Sequence, residues 1–278
     1  MFKLRRVNPD LYIERMNMSI HPTAVIDSSA EIDGSASVGP YAVIGPRVAI
    51  GPEVEIKAHV FIDKDTTIGR GSRIFPFASV GADPQDLKYK GESTRLVIGE
   101  NVVIRESATI HRGTGHGGGL TEIGDRCLIM ATVHVAHDCR LGREVILSSY
   151  AVLAGHVVVG DGAIISGLSA IHQFVHVGRH SFVGGCSGVT KDVPPYMAGA
   201  SAEGPRDLVL SGPNVVGLKR RGMTLERVQA LKDIFVIICR NHRPLAEVLS
   251  EAEAAHGDVP EAREVIEFYR SSERGVYR

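Results

Sequence analysis

Residues 21–80 read HPTAVIDSSAEIDGSASVGPYAVIGPRVAIGPEVEIKAHVFIDKDTTIGRGSRIFPFASV, and every sixth residue from Ile26 to Val80 is isoleucine or valine. The beat starts one step earlier at Ile20, resumes at Ile98, Ile104 and Ile110, and returns one residue out of phase at Ile123 to run through Val189. A period of six suits neither an amphipathic helix nor an alternating strand. It is the signature of a β-solenoid built from hexads. Four residues after each aliphatic stands a small or β-branched one, as at Ala24, Ala36, Val48, Val60, Val133, Ala151 and Ser169. Both registers are expected to point inward, and three hexads to close one triangular coil of eighteen residues. Coils then stack at the spacing of neighbouring strands, about 4.8 Å. Glycine recurs just after the aliphatic (Gly39, Gly45, Gly51, Gly124, Gly142), which suggests a corner with a demanding backbone.

The chain has 278 residues, 44% hydrophobic but only 5% aromatic, with no Trp, as expected of a narrow prism filled by Ile, Val and Ala. A formal net charge of −1 argues against general nucleic-acid binding. The longest apolar run, Ile234 to Cys239, is too short to span a bilayer, and the basic first residues are not followed by the apolar stretch of a signal peptide. Cytoplasmic residence is the expectation. The four cysteines form no C-x-x-C pair, and Cys127 and Cys139 fall in the small inward register, as buried thiols would. Residues 1–17 precede the repeat as an extension, 18–200 form the solenoid, and 201–278 form a helical domain. In that last part Leu225, Val228, Leu231, Phe235 and Ile238 fall at helical spacing, and two further amphipathic segments surround Val248 and Val265.

Function is sought where the regular scaffold is interrupted. Between Val80 and Ile98 a polar segment, residues 81–97, is expected to leave the wall for the length of one full coil and keep the stack in phase. A second insertion, residues 111–122, adds seven residues; six glycines lie between residues 111 and 124, which suggests a flexible loop. It lacks a phosphate-loop lysine. The paired prolines in KDVPPY, residues 191–196, are expected to end the solenoid.

Eight of the twelve histidines lie between residues 111 and 180. Residues eighteen apart should stack on neighbouring coils, so His137, Gly155 and Gln173 form one column and Asp138, His156 and Phe174 the next. Both columns project from the wall. An exposed imidazole with an acidic neighbour suits a general base, and a glycine one coil away offers an unshielded N–H to an oxyanion. A zinc site is the rival reading. His172 and His176, however, would be about 13 Å apart in extended chain, and no carboxylate–histidine second shell is evident. No metal and no cofactor are expected.

On these residues, and on the ordered strings QDLKY (85–89), IRESATIHRGT (104–114), GGGLT (117–121), VAHDC (135–139), LAGH (153–156), HQF (172–174), GGCSGV (184–189), DVPPY (192–196) and GLKRRG (217–222), the chain closely resembles the UDP-N-acetylglucosamine O-acyltransferases of lipid A synthesis from His21 to Arg278. The resemblance implies a left-handed parallel β-helix with a C-terminal helical domain, assembled as a homotrimer with active sites between subunits. It implies transfer of a 3-hydroxyacyl chain from acyl carrier protein to the 3-hydroxyl of UDP-N-acetylglucosamine. By the same resemblance His137 is the general base, Asp138 its orienting partner and Gly155 the oxyanion donor. Asp86, Lys88, His134, His156, His172 and Gln173 would line the acyl and sugar sites. Asn214, Arg220 and Arg221 would serve the nucleotide or the carrier protein, and Gly185 would lie at the end of the acyl groove that sets chain length. The segment between Tyr196 and Asn214 is longer than the family pattern, and Val216 stands where relatives carry an acidic residue. An acyltransferase of the same fold that uses a 3-amino sugar or acyl-CoA is the alternative.

Overall fold

The computed structural model describes residues 19–201, 207–241 and 243–278; the expected extension over residues 1–17 lies outside them. The hexads form short strands, mostly of two residues, in three sheets of nine, eight and ten strands that are parallel except for the last strand of the ten. Each sheet takes every third strand. Val25 pairs with Val43, Glu31 with Ala49 and Ser37 with Glu55, so one coil is eighteen residues. We number the faces in chain order: face one begins at Val25–Ile26, face two at Glu31–Ile32 and face three at Ser37–Val38.

Both repeating registers are interior. The aliphatics from Val38 to Val189 are buried, and so are the small residues four positions on, including Cys127 and Cys139. A prism this narrow has room for one large and one small side chain per side of each coil. That geometry accounts for the scarcity of aromatics.

The corner glycines act differently from the expectation. The left-handed backbone falls two residues later, on non-glycine residues such as Arg47 (φ 54°), Asp138 (φ 60°) and His156 (φ 62°). Gly39 and Gly142 are instead steric requirements, because a Cβ there would come within 2.8 Å of Ala58 N and 2.3 Å of Asp161 Oδ1 on the neighbouring coil.

The first insertion also departs from its expected length. Ile98 pairs with Ile68, thirty residues back where uninterrupted coils keep eighteen, so the loop adds twelve residues inside one corner and does not replace a coil. Ile123 pairs with Ile98, twenty-five residues back, which confirms seven extra residues in the second insertion. The two loops leave from the same corner, between faces one and two, on successive coils. The next coil places His137 at that corner.

The prolines at 194 and 195 do not end the stack. Met197–Ala200 adds one more parallel strand to face three beside Phe182–Val183, and Val209–Pro213 returns antiparallel to it. Four helices follow: α1 (Val215–Arg220), α2 (Leu225–Cys239), α3 (Leu245–His256) and α4 (Pro260–Ser271). Thr224 caps α2 by accepting from the Arg227 N–H. Val228, Leu231, Val248 and Val265 are buried where the helices pack on one another.

Candidate active site

His137 and Asp138 occupy the corner between the strands His134–Val135 and Arg140–Leu141. They are not exposed as the register alone suggested. His137 is 7% and Asp138 5% accessible, because the second loop folds over them. The loop is an ordered cover held by Asp138: Thr114 donates its amide (3.0 Å to Oδ1) and its hydroxyl (2.7 Å to Oδ2) to the carboxylate, and the Asp138 amide donates to Thr121 Oγ1 at 2.8 Å. Gly115–Gly117 forms a single 3-10 turn. Gly117 packs so closely that a Cβ would lie 2.2 Å from Asp138 Oδ2. Close packing against a carboxylate, and not flexibility, explains that glycine.

The fourth contact of Asp138 is His137 Nδ1, 2.8 Å from Oδ2. An ionised carboxylate can only accept, so Nδ1 carries a proton and the neutral tautomer this selects has its lone pair on Nε2. Burial alone would raise the Asp138 carboxyl, but hydrogen bonds from His137 and from the side chain and backbone of Thr114 outweigh it and hold it below the ordinary aspartate range.

One coil on, Gly155 lies directly beneath the imidazole. A Cβ there would sit 2.5 Å from His137 Cε1 and 2.8 Å from Nε2. Its amide falls in a corner register that Pro40, Pro46 and Pro52 occupy in earlier coils, where no backbone N–H is needed for stacking. The column arithmetic holds here: His156 N donates to His137 O at 3.0 Å, and Phe174 N to Gly155 O at 3.2 Å.

The cleft at this corner has a volume of about 800 Å³ and is lined by Gln85, Asp86, Leu87, Lys88, His116, Gly117, His137, His156, Gln173 and Phe174. It unites Asp86, Lys88, His137, His156 and Gln173 of the expected set. Phe174 enters from the column expected to hold Asp138 and His156; His116, Gln85 and Leu87 were not anticipated, although a histidine set among loop glycines was a visible sign. Asp86 Oδ2 is 3.2 Å from His116 Nε2. The Lys88 amide, bonded to the Asp86 side chain, holds the Asp86 carboxyl below its ordinary range, and His116 adds to the effect. The His156 ring stacks on Phe174 with centroids 4.6 Å apart. Burial lowers its pKa and so favours the neutral ring, an effect the Asp138 carboxylate partly offsets.

His137, Asp138 and His156 each offer one donor atom within 4.8 Å of the others. At 2.8 Å, however, the Nδ1–Oδ2 pair is a hydrogen bond with no space for an ion between the atoms. The donor set fits a histidine–carboxylate pair better than a metal.

The remaining expected residues lie elsewhere on the chain. His134 is on the outer side of face one, bonded through Nδ1 to Thr109 Oγ1 at 2.8 Å, with the edge of His111 against it. His172 is exposed and accepts from Arg274 Nη2 at 2.6 Å. Gly185 is at the corner between faces three and one, stacked over Gly167. Asn214 caps α1 and donates to His180 O at 3.1 Å, and Arg221 pairs with Glu144 at 2.9 Å, both at the corner between faces two and three. Arg220 is exposed nearby. Within one chain Gly185, Asn214, Arg220 and Arg221 lie at other corners, while His134 and His172 flank the His137 corner outside the cleft lining.

A family model described as UDP N-acetylglucosamine O-acyltransferase, domain 2, matches residues 192–277, and one described as bacterial transferase hexapeptide (six repeats) matches residues 120–155. The chain is similar to the UDP-N-acetylglucosamine acyltransferase of Francisella novicida, with 39% identity, a TM-score of 0.90, and coverage of 93% of this chain and 94% of that one. Similarity to the Moraxella catarrhalis UDP-N-acetylglucosamine O-acyltransferase is 39% identity at TM-score 0.89, covering 94% and 100%. The Arabidopsis UDP-N-acetylglucosamine acyltransferase matches at 34% identity and TM-score 0.83, covering 93% and 100%.

Proposed function

The chain belongs to the UDP-N-acetylglucosamine O-acyltransferase family, and from that premise we propose that it moves a 3-hydroxyacyl group from acyl carrier protein to the 3-hydroxyl of UDP-N-acetylglucosamine, the first step of lipid A synthesis. The observation that carries this reading is the Asp138–His137 pair, with the His137 ring lining a cleft and Gly155 packed against that ring one coil on. His137 Nε2 takes the proton of the sugar hydroxyl as its oxygen attacks the thioester carbonyl. Asp138 holds the ring and favours the imidazolium that forms. The Gly155 N–H donates to the tetrahedral oxyanion, which collapses to the ester and expels the carrier's thiolate; His137 returns the proton to that sulfur. A thioester is already activated, so no covalent enzyme intermediate is required. Among the described residues, neither serine nor cysteine lines the cleft.

The polar wall of Asp86, Lys88, His116 and Gln173 suits the sugar. The outer side of face one suits an acyl chain: from His134 the outward residues become Val152, Ala170 and Gly188, paired in register and decreasing in size toward the corner of Gly185. Val152 is 40% and Leu168 64% exposed, and Tyr150 is also exposed beside this strip. Such a surface favours a partner subunit, and a homotrimer would bring the Asn214, Arg220 and Arg221 corner of one copy toward the His137 corner of the next. That basic corner would receive the diphosphate or the acidic carrier. The catalytic unit is then residues 18–200 and the helical unit 201–278. Among the described residues no helix is long and apolar enough to cross a membrane, and we assign the enzyme to the cytoplasm.

The test is incubation of the purified protein with UDP-N-acetylglucosamine and a panel of 3-hydroxyacyl carrier proteins, with the product identified by mass spectrometry. An O-linked ester at the 3-position is expected. Turnover only with the 3-amino sugar, or only with acyl-CoA, would overturn the acceptor or donor assignment.

A further inference from the structure

Arg112 is the largest fully buried side chain of the protein's described residues, and its guanidinium has no solvent access. Burying a charge is costly unless it is paired, and even paired it contributes weakly to stability compared with a well-packed apolar side chain. The pairing here is incomplete, since Arg112 Nε has no partner. Placement therefore explains this arginine better than stability does.

Its partners belong to the other loop, apart from Asp63 on the coil before it. Nη1 donates to Asp63 Oδ2 at 3.0 Å and to the Gly81 carbonyl; Nη2 donates to Asp83 Oδ1 and reaches Tyr89 Oη at 3.5 Å. The Arg112 amide donates to Ala82 O at 3.1 Å, and the next amide, of Gly113, to Arg95 O at 3.4 Å. One residue thus holds the start of the first loop, its middle and, through its neighbour, its end. Tyr89 extends the link: its hydroxyl donates to Glu92 O, and its amide closes the turn on Asp86 O at 3.0 Å. That turn presents Asp86, Leu87 and Lys88 to the cleft. Two residues past Arg112 in the other direction, Thr114 grips Asp138.

We propose that Arg112 is a positioning residue that sets the spacing between the sugar-facing wall at Asp86–Lys88 and the His137–Asp138 pair, by tying the first inserted loop to the second. The planar fork matters as well as the charge, because two nitrogens serve separate stretches of chain. The inference rests on the proposed sugar site for its kinetic consequence but not for its structural one. None of the bonds from His137 to Asp138, or between Asp138 and Thr114 and Thr121, uses the Arg112 side chain.

The experiment compares the full-length protein with Arg112→Met, Arg112→Lys and Tyr89→Phe, the last removing one hydroxyl at the loop and leaving the buried pair in place. Hydrogen exchange over residues 83–92 and tryptic cleavage after Lys88 and Lys90 are expected to accelerate at least tenfold in Arg112→Met while exchange in the strands stays as in the parent. In the same variant KM for the sugar nucleotide is expected to rise about tenfold with kcat within about threefold, the signature of lost binding geometry and not of lost chemistry. Arg112→Lys is expected to recover part of both effects, and Tyr89→Phe to show both in smaller measure. Exchange that accelerates throughout the prism, or kcat and KM unchanged while the loop loosens, would overturn the proposal. If the parent shows no transfer with any donor, the functional reading fails, and the exchange and cleavage results still decide whether Arg112 fixes the loop.

Discussion

Replacing Gly155 by alanine adds one methyl group under the imidazole of His137. The new carbon would lie 2.5 Å from Cε1 and 2.8 Å from Nε2, against an ordinary carbon–carbon separation of about 3.5–4.0 Å. The ring must retreat by about 1 Å, carrying the proton acceptor with it. A displacement of that size costs on the order of 10²-fold in rate. The methyl also crowds the amide proposed to bind the oxyanion, and loss of one such donor costs about 10²–10³-fold. These effects act on one unit and do not add, so kcat is expected to fall about 10²–10³-fold, or ~3–4 kcal/mol in the barrier. Backbone strain contributes nothing, because Gly155 lies outside the left-handed region. Gly34→Ala is the control, since a Cβ there meets nothing within 4 Å. Steady-state transfer and thermal melting are measured together. A Gly155→Ala enzyme with activity within about threefold of the parent would refute the reasoning.

Asp138→Asn keeps the shape of the side chain but no longer offers two anionic oxygens to His137 and Thr114; kcat is expected to drop about 10²–10⁴-fold, with KM for the sugar nearly unchanged, and equal losses in both parameters would count against an orienting role. Gly185→Met is expected to shorten the preferred acyl chain by filling the end of the strip along face one, measured by competition between carrier proteins of different chain length; an unchanged preference refutes that placement. Stability should depend on pH through His111 and His180. Burial, reinforced by His134, His137 and Arg112 for the first and by Arg221 and Arg179 for the second, holds each near 4 in place of the ordinary 6.5. The unfolded chain then binds these protons first, so stability falls as pH drops from 6.5 to about 4 and the contribution levels off below that. Melting temperatures across this window should show the slope and His111→Gln should reduce it; an identical slope in the variant would exclude His111 as a source.

The prism was legible because its determinants are periodic. One large and one small side chain per hexad specify which residues face inward, and eighteen-residue spacing predicts that Gly155 follows His137 on the next coil. Insertions carry no period. Arithmetic gives the length of the second loop but not its path, so Thr114 and Thr121 closing over Asp138, His116 facing Asp86, and Arg112 tying the loops together all required the structure. The burial of His137 was missed for the same reason, since the register describes the wall and not what folds across it. The corner glycines were assigned the wrong physical cause: coils stacked at strand spacing exclude a Cβ at Gly39 and Gly142, while Asp138 and His156 adopt the left-handed conformation themselves. Asn214, Arg220 and Arg221 sit at a corner remote from His137, and the subunit contact proposed to bring them together has no signature in a single chain.

If His137 is the base for acyl transfer from a thioester donor, removing its imidazole slows the chemistry and spares binding. Single-turnover transfer from 3-hydroxyacyl carrier protein to UDP-N-acetylglucosamine by the parent and by His137→Ala, with sugar binding followed by calorimetry, tests it most directly. A rate loss of about 10²–10⁴-fold is expected, with sugar affinity and melting temperature little changed. Transfer by the variant within about threefold of the parent rate would contradict it.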